Sequence, residues 1–69
     1  MKYVFINKDL FYNAVIQFTG KEWYCITTSD VSETASAFGI YIKFSLRNEF
    51  KCEILDEHKL FLNRIKYGF

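Results

Sequence analysis

Proline is absent from this 69-residue chain, and glycine occurs only three times. Linkers and disordered segments are rich in Pro, Gly and polar residues and poor in aromatics. Their composition is excluded here, and a single domain spanning residues 1–69 is expected. Histidine occurs once and cysteine twice, too few and too scattered for the ligand spacing of a metal site. No run approaches the roughly 18 apolar residues of a membrane-spanning helix. The start, Met1-Lys2-Tyr3-Val4-Phe5-Ile6-Asn7, holds an apolar run too short for the core of a signal peptide. A cytoplasmic location is the resulting expectation. No single sign of charge dominates: nine Lys and Arg against eight Asp and Glu leave a net charge of +1. That argues against both a strongly basic nucleic-acid module and an acidic mimic of nucleic acid.

Aromatic residues are abundant, with eight Phe, five Tyr and one Trp. A chain this short buries only roughly 60% of its unfolded surface, so a dense core must supply what disulfides or metals supply in other small domains. Rings that each bury about 150–250 Å² are suited to that task. Phe, Tyr, Ile, Asn and Lys also have A/T-rich codons, and their prevalence points to a low-GC genome such as those of many bacteriophages and their hosts.

The clearest local pattern is Ile40-Tyr41-Ile42-Lys43-Phe44-Ser45-Leu46, which alternates without a slip. Period two is the signature of a half-buried strand. Ile40, Ile42, Phe44 and Leu46 are assigned to the core face, and Tyr41, Lys43 and Ser45 to the other, with Arg47 continuing that side. Lys2–Ile6 reads as a first strand. Ala14–Thr19 and Trp23–Thr27 read as a hairpin closed by Thr19-Gly20-Lys21-Glu22, where Gly supplies a positive φ. Between Thr27 and Glu33 lie several N-cap candidates; Asp30 or Ser29 opens a short helix ending near Phe38, with Val31, Ala35 and Phe38 on one face and Gly39 after its end. Phe50–Leu55 follows as a strand with Phe50, Cys52 and Ile54 inward and Lys51 and Glu53 outward. Leu60–Tyr67 reads as the last strand after a polar turn at Asp56–Lys59. The expected architecture is α+β: an antiparallel five- or six-stranded sheet with one short helix (about 30–38) on one face, in the order β-β-β-α-β-β-β.

No residue set points to catalysis. His58 sits in a polar segment without an orienting partner. Cys25 and Cys52 fall within expected strands, where thiols are generally inert. No nucleophile elbow or phosphate-binding loop is present. Neither an enzymatic role nor a cofactor is expected. Binding is the better class, and the outer sheet face supplies its candidates: Tyr41, Lys43, Arg47 and Lys51, extended by Arg64 on the last strand, with Phe11 and Tyr12 as an apolar anchor. Tyr and Arg are favoured interface anchors, and rings beside cations also hold single-stranded nucleic acid. A third reading is self-association through unpaired edge strands.

The strand start Met1-Lys2-Tyr3-Val4-Phe5, the single helix between Thr28 and Gly39, and the finish from Ile40-Tyr41-Ile42-Lys43-Phe44-Ser45-Leu46 to Tyr67-Gly68-Phe69 resemble, in plan, small bacteriophage-encoded inhibitors, including some anti-CRISPR proteins. That resemblance implies a non-catalytic protein that blocks a bacterial host or defence protein by occupying its surface. Three partners follow from these readings: a bacterial protein, single-stranded nucleic acid, or a second copy of the chain.

Overall fold

A computed structural model describes residues 1–69. The chain runs β1 (Tyr3–Asn7), α1 (Lys8–Thr19), a 3₁₀ turn (Trp23–Cys25), α2 (Thr28–Ala37), β2 (Ile40–Ser45), β3 (Glu49–Ile54) and α3 (Glu57–Tyr67). The class is α+β, but the expected five- or six-stranded sheet with one helix is replaced by three antiparallel strands, ordered β1-β3-β2, and three helices.

The expected hairpin of Ala14–Thr19 and Trp23–Thr27 is instead the end of α1 and the 3₁₀ turn. Ala14, Ile16 and Phe18 do alternate, but Phe11, Ala14, Val15 and Phe18 also fall at the i, i+3, i+4, i+7 spacing of a helix. The second pattern wins because it buries Phe11, Ala14 and Val15 together. Asn7 ends β1 and caps α1 at once, its side chain accepting a hydrogen bond from the Leu10 amide at 3.0 Å. Gly20 then ends the helix with a φ of 71°, so its positive φ serves a helix terminus and not a hairpin.

Leu60–Tyr67 is a helix for the same reason. Asp56, assigned to a turn, is its N-cap and accepts from the Lys59 amide at 3.1 Å. Leu60 is buried, and Asn63, Arg64 and Tyr67 are half-buried beside it, one face of an α-helix. The local run Leu60-Phe61-Leu62 hides that period. Helix α2 was expected, but it starts earlier. Thr27 is its cap and Asp30 its third residue, and the two form a reciprocal capping box. Gly39 follows it with a φ of 78°.

All three helices pack on one side of the sheet. Ile6, Ile40, Phe50 and Cys52 point into that side and meet Phe11, Ala14, Val15, Ala35, Phe38, Leu60 and Phe69. Phe11 lies at the centre and has no exposed surface. Its ring makes edge contacts with Phe38, Phe50 and Phe69 at centroid distances of 6.1, 5.8 and 5.6 Å, and Phe38 stacks on Phe69 at 5.1 Å. The other side of the sheet carries no helix.

Candidate surface: the open face of the sheet

Strand register determines what the uncovered face displays. In β1 and β3, Tyr3 pairs with Glu53 and Phe5 with Lys51. In β2 and β3, Tyr41 pairs with Glu53 and, after a register shift between Ile42 and Phe44, Phe44 pairs with Lys51. The shift is a bulge at Lys43. It corrects the sequence assignment of Phe44 and Leu46 to the core: the extra residue turns Phe44 onto the open face, where it is 58% exposed, and Leu46 is exposed as well.

Two cross-strand rows result. One is Tyr3, Glu53, Tyr41; the next is Phe5, Lys51, Phe44. Cations lie among the rings. The Lys51 ammonium is 4.8 Å from the centre of the Tyr3 ring and 6.0 Å from that of Phe44. Lys43 reaches 5.7 Å from the Tyr41 ring and 3.7 Å from the Glu53 carboxylate. A ring face attracts a nearby cation through its quadrupole, so both lysines are held close to the sheet.

The sequence-derived binding residues divide. Tyr41, Lys43 and Lys51 come together on this face, and exposed Arg47 sits at its end in the β2–β3 turn. Arg64 does not join them. It is on α3, in the opposite layer, where it donates from Nη2 to the Phe69 carbonyl at 3.2 Å. Phe11 is the middle of the core and presents no surface. Tyr12 is partly exposed on α1 with its ring 6.0 Å from Phe50. The sequence reading omitted Tyr3, Phe5 and Phe44. Tyr3 and Phe5 were legible as one side of a strand with apolar residues on both faces; Phe44 was not, because a bulge leaves no mark in an alternating run.

Other surfaces lack chemical groups in useful combinations. A groove of about 600 Å³ opens between α2 and β2, with Val31, Ala35, Ile42 and Phe50 among its lining residues and no charged side chain there. No three His, Cys, Asp or Glu side chains are grouped so that they could hold a metal ion. Cys52 is buried, and burial pushes its thiol up to about 11, whereas Cys25 is exposed on the 3₁₀ turn. His58 is exposed on α3. Two further apolar features reach solvent: the Trp23–Tyr24 pair of the 3₁₀ turn, and Phe61, Leu62 and Ile65 on the outward side of α3, with Ile65 83% exposed. No helix is long and apolar enough to cross a membrane. Comparison with known protein families, with curated proteins and with solved structures finds no match.

Proposed function

We propose that this protein is a non-catalytic binding module whose partner is a protein docked on the open face of the sheet. The observation that carries this reading is the cluster of Tyr3, Phe5, Tyr41 and Phe44, each roughly half exposed on a face no helix covers. Four half-exposed rings present on the order of 400 Å², the size of a patch that is often functional in a monomer. They stand on a hydrogen-bonded sheet, so little ordering entropy is lost when they are covered. The mixed charges among them, Lys43 and Lys51 against Glu49 and Glu53, suit a protein surface of mixed sign better than a polyanion. In keeping with the resemblance to small bacteriophage inhibitors, we infer that the partner is a bacterial protein in the host cytoplasm and that inhibition is steric.

The test is affinity capture from bacterial lysate with the wild type, Tyr41→Ala/Phe44→Ala and Ile65→Ala. A partner retained by the wild type and Ile65→Ala but lost by the double variant is the expected result. Equal capture by all three removes the open face from consideration.

A second reading, single-stranded nucleic-acid binding, is favoured by the Lys51 ammonium held against the Tyr3 and Phe44 rings, since stacking platforms combine rings with cations. Fluorescence polarisation with a labelled oligonucleotide separates the two. Nucleic-acid binding requires an affinity that falls linearly on a log–log plot as salt rises; no binding at low salt leaves the protein partner alone.

A further inference from the structure

We infer that the β1 edge is a self-association site at which two copies of this chain pair antiparallel and join their sheets. The inference does not rest on the open-face reading. In the order β1-β3-β2 both β1 and β2 are edges, and only one of them is obstructed. Strand β2 carries the bulge and Lys43, two devices that keep an edge from pairing with another chain. Strand β1 carries neither. Its residues, Tyr3-Val4-Phe5-Ile6-Asn7, include no charge and no proline, and its register with β3 is unbroken over all five positions.

The direction of its backbone groups follows from the ladder. The Ile54 amide donates to the Lys2 carbonyl and the Lys8 amide to the Asn48 carbonyl, both at 2.9 Å. Antiparallel pairs alternate between bonded and unbonded, so Lys2, Val4, Ile6 and Lys8 bond inward to β3. Tyr3 and Phe5 then direct their N–H and C=O groups outward. None of the side-chain, turn or loop hydrogen bonds uses the backbone of either residue, and both residues are exposed.

A second copy matches this edge best. Two β1 strands related by a twofold axis near Phe5 satisfy each other's outward groups, as an isologous contact requires. No like charges oppose one another within the strand. The flanking cations are engaged inside their own chain, Lys2 with Glu57 at 2.6 Å and Lys8 over the Phe50 ring at 5.3 Å. With the axis normal to the sheet, the strands run β2-β3-β1-β1-β3-β2. The open faces of both copies then form one surface, with Tyr3 and Phe5 of each at its centre.

Sedimentation velocity from about 1 μM to about 1 mM, a range that spans weak dimer affinities, tests this together with amide hydrogen exchange. The wild type should pass from monomer to dimer, and the Tyr3 and Phe5 amides should slow at least about tenfold as the dimer forms. Phe5→Pro removes an outward N–H that β3 does not use, a position where an edge strand tolerates proline, and should stay monomeric. Phe44→Thr, on the other edge, should dimerise like the wild type. A strict monomer at every concentration, or a dimer that leaves the Tyr3 and Phe5 amides unprotected, overturns the inference. The exchange measurement on the wild type decides the matter if Phe5→Pro fails to fold.

Discussion

Phe11 touches three rings while wholly enclosed. Removing such a side chain costs about 3–5 kcal/mol. A domain of this size has roughly 3–10 kcal/mol of stability in total, so Phe11→Ala should leave a large unfolded fraction by urea titration. Thr34 is the opposite case. Its hydroxyl is buried on α2 with no hydrogen-bond partner, and an unmet polar group is costly to bury. Thr34→Val should therefore raise stability, by up to about 1 kcal/mol, in the same titration. Asp30 links stability to pH. The Thr27 amide, donating to it at 2.9 Å, and the Lys21 ammonium, 3.0 Å from both its oxygens, hold its carboxyl below the ordinary carboxylate range. A lowered folded-state pKa means stability that is complete above the unfolded value of about 4 and is lost as pH falls through the lowered one. Asp30→Asn should flatten the stability profile below about pH 4. Cys52 acts at the alkaline end. Its raised pKa adds stability below the ordinary thiol range, and that stability is lost as pH climbs towards about 11. At neutral pH an aromatic disulfide reagent should label Cys25 quickly and Cys52 only on unfolding.

The elements are held by their ends. The α2-to-β2 connection is a case where backbone freedom and close approach coincide at one residue. Gly39 has a φ of 78°, its carbonyl accepts from the Leu55 and Asp56 amides at 2.8 and 3.0 Å, and a Cβ placed there would lie 2.6 Å from the Asp56 carbonyl oxygen. At Gly20 the φ is similar but nothing lies within 4 Å of that position. Gly20→Ala should thus cost only the left-handed penalty of about 1–2 kcal/mol, and Gly39→Ala distinctly more, with the midpoint of thermal unfolding as the measure. Helix α2 was legible because its capping residues and Gly39 are local signals. Helices α1 and α3 were not, since Asn7 and Asp56 looked like turn residues and each helix contains a short stretch that reads equally well as a strand. Eleven or twelve residues of either period form only when another surface covers the apolar stripe. The rings of Phe38, Phe50 and Phe69 provide that surface for Phe11, and residues so distant in sequence cannot be paired by inspection.

At the scale of the molecule, three helices on one side of three strands leave the other side bare. Replacing Tyr41 and Phe44 with Ala should change unfolding free energy by no more than about 1 kcal/mol, because exposed substitutions away from caps and core rarely do more, while abolishing partner capture. A larger loss of stability would mean that the rings serve the fold and not a partner.

The amino-acid order alone pointed to an α+β chain with strands over Lys2–Ile6, Ile40–Leu46 and Phe50–Leu55, close to the three the structure forms, a helix ending before Gly39, and Tyr41, Lys43 and Lys51 as candidates for one outer face. These follow from spacing of two residues and from caps that act within four. The number of strands, the turning outward of Phe44, the removal of Phe11 and Arg64 from the surface, and the bare β1 edge were decided by tertiary contact. Each depends on which distant side chain covers an ambiguous stripe, and burial, being without direction, leaves no local mark on the chain.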